Sequence, residues 1–351
     1  MTKRRIRIKD IAVEAGVSTG TVDRVIHKRG NVTPNVRKRV EQVMKDLNYQ
    51  PNILASALAS NKDFKIAALL PDFNKDDYWK SPYKGLESAV KANQHFSISI
   101  KYYLFDEKEP QTFVDQAFKL LGDLPDALVI APIFAKEAQQ FLITFSKKKI
   151  PFILINSNLS SDQRLSYIGQ DSYQCGILGA KLLSTDKQEL DTLLLLHLEE
   201  KEMGGNATHI DQKEAGFFEF FKQHKHSFNL LKKDFGAASD GTTIRQFLQN
   251  VLKECPNLKG IFVTTSKAYQ LIDLLGEQLK DTTIIGFDLL PQNVNYLKTG
   301  AIDYLINQNP EKQGFLAVSR LIDHYLLKKE VKPVEYLPLD IVVKENVQYY
   351  L

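Results

Sequence analysis

The stretch IKDIAVEAGVSTGTVDRVI, residues 8–26, decides how the start of this chain folds. Ile8, Ile11, Ala12 and Ala15 recur at helical spacing, and Gly16 supplies a sharp turn where that helix can end. Ser18 then stands as an N-cap for a second helix, which turns Val22 and Val25 inward and leaves Thr19, Gly20, Asp23 and Arg24 on its outer face. Two short helices joined by a glycine-containing turn form a helix-turn-helix, a unit that lays its second helix in the DNA major groove. Spacing alone is not specific, because many short helical pairs carry no nucleic acid.

The residues beyond Ile26 make the pattern more specific. A third helix runs from Pro34 to Leu47 with basic Arg37, Lys38 and Arg39, and after it come Tyr49-Gln50-Pro51-Asn52 and the small-residue run Ile53 to Ser60. In Lys9-Asp10-Ile11-Ala12, Ala15-Gly16-Val17-Ser18, Thr21-Val22, Arg24-Val25, Val32-Thr33, Arg37, Val40, Leu47-Asn48-Tyr49, Pro51-Asn52, Ala55 and Leu58 the chain resembles the LacI family of bacterial transcription regulators. The resemblance implies an all-α three-helix headpiece over residues 1–50, a hinge helix or linker over 51–62, and a homodimer that reads an inverted repeat in double-stranded operator DNA. The DNA-contacting set on this reading is Arg7, Ser18, Thr19, Gly20, Thr21, Asp23, Arg24, His27, Thr33, Tyr49, Asn52, Ala55 and Leu58. Arg24 suits guanine. Asp23 stands where relatives usually have Ser, and suits either a cytosine amine or a nearby cation such as Arg24. Leu58 corresponds to the family's minor-groove wedge, against the plainer reading that it packs the hinge on the core. Ser56 replaces the family's basic residue.

Charge supports this division. The net charge of +4 is uneven, with 13 Lys and Arg against 5 Asp and Glu between Met1 and Lys62, so the remainder is acidic. A basic cluster within a helix-turn-helix is the electrostatic footprint of DNA binding, whereas runs such as Lys147-Lys148-Lys149 read as solvated faces. At 351 residues and 43% hydrophobic content the chain suits two or three compact domains. No apolar run is long enough for a bilayer and no signal-peptide core is evident, so a soluble, cytoplasmic protein without membrane contact is expected. Cys175 and Cys255 show no metal-ligand spacing and read as buried thiols.

From Phe64 onward strands and helices alternate. Apolar runs at Ile66–Leu70, Ile98–Phe105, Ala127–Ala131 and Phe152–Ile155 are followed by Leu193–Leu196, Phe228–Leu231, Gly260–Thr264 and Ile284–Phe287. Such βαβ alternation predicts an α/β fold of parallel sheets covered on both faces. The resemblance extends here to the two-lobed, periplasmic-binding-protein-like core of the family, over residues 63–351. It implies a first lobe at about 63–160 and 291–323 and a second at about 161–290 and 324–351, with Ala301–Gln308 returning to the first lobe and Tyr336–Val343 ending in the second. A ligand would sit in the cleft, which is also where open α/β sheets place ligands, beyond the carboxyl ends of their strands.

The candidate effector-binding residues are Asp72, Tyr78, Trp79, Asn156, Asp171, Lys213, Thr265, Asp288 and Gln308. By pattern, Tyr78 and Trp79 suit either packing at a helix start or stacking on the C–H face of a sugar; the resemblance implies the second. Asn156 stands where sugar-binding relatives often have Asp, and Thr265 where they commonly have Asn. Lys213 replaces a ligand-binding Arg and lacks the bidentate fork of guanidinium. Thr265, Asp288 and Gln308 also suit simple cap or loop roles.

A DNA-binding regulator, in the sense of a repressor controlled by a sugar or sugar derivative, is therefore the leading reading. A transport receptor is disfavoured by the headpiece. An enzyme is disfavoured because no P-loop, GxGxxG, GxSxG or HExxH pattern is present, and neither a cofactor nor a metal is implied.

Overall fold

The computed structural model describes residues 6–26, 29–49, 63–159, 163–198, 207–224, 227–235, 243–255 and 257–351. The chain divides into two compact units, Met1–Ser60 and Asn61–Leu351.

The first unit holds helices α1 (Ile8–Glu14), α2 (Thr19–Ile26) and α3 (Pro34–Asp46). Gly16 has φ +61°, in the left-handed region that costs glycine least, and ends α1 sharply. The Thr21 N–H then donates to Ser18 Oγ at 3.2 Å, so Ser18 satisfies a free amide at the start of α2. Ile11, Ala12, Ala15, Val22, Val25 and Val40 are buried together as the core of the three helices.

The second unit contains two sheets. In the first, β1 (Phe64–Pro71), β2 (Ile98–Phe105), β3 (Ala127–Ile130), β4 (Phe152–Ile155), β5 (Ser166–Gly169) and β11 (Val334–Tyr336) lie in the order β11-β5-β4-β3-β1-β2, all parallel. In the second, β6 (Thr192–His197), β7 (Asn229–Asp234), β8 (Leu258–Val263), β9 (Thr283–Phe287), β10 (Tyr304–Asn307) and β12 (Asp340–Val342) lie in the order β12-β10-β9-β8-β6-β7, with only β12 antiparallel. Their central strands are buried on both faces, as parallel strands covered by helices must be.

The lobe boundaries differ from those expected. Residues 301–308 do not return to the first lobe: Tyr304 pairs with Ile285, because Gly300 at φ +80° ends the preceding helix and turns the chain back beside β9. Helix Pro291–Thr299 therefore belongs to the second lobe as well. Ser166–Gly169 pairs with β4 and Val334–Tyr336 with β5, so both belong to the first lobe. The chain thus crosses between sheets at Gln170, at Gln308–Asn309 and at Leu337–Leu339.

Each lobe also repeats one helix crossing. In the first, α4 (Lys80–Ala92) meets α12 (Pro310–Tyr325); in the second, α7 (Ser172–Ser184) meets α8 (Ala207–His224). Backbones touch at glycine: a Cβ on Gly85 would lie 1.9 Å from Glu311 O, one on Gly314 2.2 Å from Pro82 O, one on Gly176 1.9 Å from Lys213 O and one on Gly216 2.0 Å from Tyr173 O. Gly85→Ala must therefore push α4 off α12, at a cost of about 1–3 kcal/mol. Gly122→Ala, at an exposed position of helix Pro110–Asp123 with nothing within 4 Å, should instead be neutral or stabilising. Urea unfolding of the two variants tests the contrast, and equal midpoints would contradict the crossing as described.

Candidate DNA interface and effector cleft

On α2, Thr19, Gly20 and Arg24 are exposed, while Thr21 and Asp23 are half-buried beside the core residues Val22 and Val25. Arg7 and Ser18 are exposed before α1 and α2, and Thr33 is exposed where α3 begins at Pro34. Tyr49 packs against the core of the three helices. His27, Asn52, Ala55 and Leu58 lie outside the described residues.

In the second unit, loops at the carboxyl ends of strands from both sheets converge on a cavity of about 50 Å³. Asp76, Tyr78 and Trp79 follow β1, Glu107 follows β2, Ile133 follows β3 and Asn156 ends β4. From the second sheet come Thr264 to Lys267 after β8, Asp288 after β9, Gln308 after β10, and His209 and Lys213 on α8. With roughly 10–15 Å³ for one water position, this space admits a few waters. A sugar ring requires the lobes or their loops to give way.

Each side chain has an identifiable support. The Asp76 carboxylate accepts from the Tyr78 N–H at 2.8 Å and starts the helical turn that buries Tyr78 and Trp79, whose rings meet edge to face at 5.0 Å. Asn156 Nδ2 donates to the Tyr78 hydroxyl at 2.8 Å. Lys213, only 1% exposed, donates to Thr264 O at 2.8 Å and lies 3.8 Å from the centre of the Phe287 ring. Lys267 and Glu107 face each other from opposite lobes at 3.6 Å. Asp288 is 1% exposed and accepts from Gln308 Nε2 at 2.6 Å.

Buried Asn293 fixes the floor: its Nδ2 donates to Ser266 O, Phe287 O and Asp288 O, and its Oδ1 accepts from the Tyr269 N–H. Beneath Thr264, His197 Nδ1 lies 2.7 Å from the threonine hydroxyl.

Seven of the nine effector candidates line this cavity, namely Tyr78, Trp79, Asn156, Lys213, Thr265, Asp288 and Gln308. Asp72 and Asp171 do not. Asp72 Oδ1 is taken up by the backbone and side-chain N–H groups of Asn74, and Asp171 caps α7 by accepting from the Gln174 N–H. Asp76, Glu107, His209 and Lys267 were not evident from sequence, because each lies in a loop or on a helix face whose direction only the fold sets. Among the described residues no group of three His, Cys, Asp or Glu side chains is placed to hold a metal ion, and no helix is long and apolar enough to cross a membrane.

Residues 66–329 match the model of a periplasmic binding protein domain, and residues 7–52 that of the bacterial regulatory proteins of the lacI family. The chain is 31% identical over 345 residues to the HTH-type transcriptional regulator MalR of Streptococcus pneumoniae, covering 92% of this chain and 99% of that protein. This chain belongs to the LacI family of bacterial regulatory proteins. As a LacI-family member it is a DNA-binding transcriptional regulator, and the relatives it matches are regulators rather than enzymes. A solved structure assigned as a LacI transcriptional regulator of Bacteroides fragilis is 30% identical, with a TM-score of 0.74 over 83% of this chain and all of that one. The glucose-galactose binding protein GanP of Geobacillus stearothermophilus, 18% identical, shares the core fold with a TM-score of 0.68 over 82% of this chain and 99% of its own.

Burial pushes the Asp288 carboxyl of this LacI-family core up to about 7, against the opposing pull of Gln308's hydrogen bonds and Lys213's charge. An acid whose folded pKa is raised stabilises the fold while protonated, and that contribution fades as pH rises through the folded value. The wild-type core should therefore lose stability relative to Asp288→Asn as pH rises from about 4 to about 7, and hold level above that. Parallel unfolding curves across this range, with no such divergence, would contradict the burial of the carboxyl.

Proposed function

We propose that this regulator is a cytoplasmic homodimer, acting as a repressor, whose operator affinity is set by a neutral sugar bound between the two lobes. The observation that carries the reading is the convergence of strand ends from both sheets on one cavity, in a chain that also has a helix-turn-helix. A ligand shifts a conformational equilibrium only through differential affinity for the two states, and contacts from both lobes supply it. Tyr78 and Trp79 offer apolar faces, while Asn156, Asp288 and Gln308 offer hydrogen-bonding groups for hydroxyls.

Charge favours a neutral ligand. Asp76 and Glu107 line the cavity against Lys213 and Lys267, and Asp288, held up by burial, adds only part of a charge near neutral pH; Lys213 is directed at Thr264 O and the Phe287 ring, and Lys267 at Glu107. Neither lysine stands ready for a phosphate. At one hundred times its dissociation constant a bound sugar stabilises the native state by about 2.7 kcal/mol. In thermal-shift measurements, a member of the panel D-glucose, D-galactose and D-arabinose should raise the melting temperature and change Trp79 emission. Glucose 6-phosphate and gluconate should do neither. Stabilisation by the phosphorylated sugar alone would contradict the charge argument.

At the DNA end, exposed Thr19, Gly20 and Arg24 meet base edges, and two-fold symmetry maps two α2 helices onto an inverted repeat. Arg24→Ala should relax base preference at one position per half-site by about 1–3 kcal/mol in a binding-site selection. An unchanged preference would remove Arg24 from the reading set, and a monomer in sedimentation would remove the dimer.

A further inference from the structure

We propose that Gln313, which does not line the cleft, is the positioning residue that couples its two walls through the second crossover. The inference rests on the reading of the cleft as a sugar site. Gln313 lies in the first turn of α12 and is 1% exposed. Its Oε1 accepts the Asn156 N–H at 2.9 Å, and its Nε2 donates to Gln308 O at 2.9 Å. One amide thereby holds the end of β4, in the first lobe, to the backbone of the strand that leaves the second.

Both ends of this bridge reach the cavity. On one side, Asn156 Nδ2 donates to the Tyr78 hydroxyl at 2.8 Å; on the other, Gln308 Nε2 donates to Asp288 at 2.6 Å. Asn156 at φ +66°, Asp288 at φ +63° and Asn309 at φ +51° all occupy the left-handed region, which Asn and Asp tolerate best among residues with a side chain. Asn156 and Asp288 both line the cavity, and hydrogen bonds from Gln313 and Gln308 hold them there.

Gln313 cannot shift alone, because the next residue, Gly314, is in backbone contact with α4 at Pro82, and α4 begins just after Tyr78 and Trp79. A sugar hydroxyl that competes for the Asp288 carboxylate displaces the Gln308 amide. The change then reaches Asn156 and Tyr78 through Gln313 and the first lobe as a body through α12 and α4.

The test compares the full-length wild type with Gln313→Met, which removes both hydrogen bonds at similar volume, and Gln313→Glu, which keeps an acceptor for Asn156 and, once ionised, loses the donor to Gln308. Hydrogen exchange reads the bridge without any sugar. The Asn156 amide should exchange about tenfold faster or more in Gln313→Met and stay within about twofold of wild type in Gln313→Glu, with β3 amides unchanged in both. Equal Asn156 protection in wild type and Gln313→Met overturns the proposal.

Trp79 emission and operator binding then read the coupling, with D-glucose, D-galactose and D-arabinose as probes. For any of the three that binds wild type, both variants should retain operator binding but lose most of the ratio between operator affinities with and without that sugar. A ratio preserved within about twofold in Gln313→Met overturns the coupling role, since a merely structural residue would lower the melting temperature and leave the ratio alone. If none of the three binds wild type, the neutral-sugar reading fails by itself and the exchange result still decides the bridge.

Discussion

Everything in the effector core depends on the chain passing between its two sheets three times, after β5, β10 and β11. Parallel strands all present their carboxyl ends on one side of a sheet, and the connecting loops collect there. Because the same chain builds both sheets in alternation, two such loop clusters face one cavity. The backbone at Gln170, Gln308–Asn309 and Leu337–Leu339 makes the three connections between the sheets. At the second of these, the side chain of Gln308 holds Asp288 while its carbonyl is held by Gln313. The hydrogen bonds of this crossing thus belong to the cavity wall as well.

The helix crossings set backbone against backbone within each lobe. Where Gly85 meets Glu311 and Gly176 meets Lys213, helix backbones are in direct contact, and no side chain intervenes to absorb a small displacement. In the second lobe the same contact fixes Lys213, whose ammonium is held between Thr264 O and the Phe287 ring. Lys213 thus serves first as a strut of the cavity wall, a point charge held between a ring and a carbonyl.

Much of this was legible in the sequence because it is local. The turn at Gly16, the cap at Ser18 and the apolar spacing of α1 and α2 are each set by residues a few positions apart. The buried strands announced themselves as apolar runs, and strand ends such as Asn156 and Asp288 came with them. What was not legible is what pairing decides. Residues 301–308 form a strand by composition, but nothing in them says which sheet they join; the turn at Gly300 and the register with β9 do. Ser166–Gly169 is too short and too polar at its first residue to read as a buried strand. Asp72 and Asp76 are indistinguishable as loop carboxylates until the loop geometry turns Asp72 to Asn74 and leaves Asp76 on the cavity. Asn293 and Gln313 read as ordinary polar residues on helices, since a buried amide's partners are distant in sequence.

A single conformational equilibrium that links the cavity to DNA must act in both directions. Its most direct test is the affinity of the stabilising neutral sugar for the full-length protein, measured by Trp79 emission with and without saturating operator duplex. Operator should change the sugar's dissociation constant by the same factor by which the sugar changes operator affinity. Identical sugar affinities in the two states, in a protein that still binds both, would contradict it.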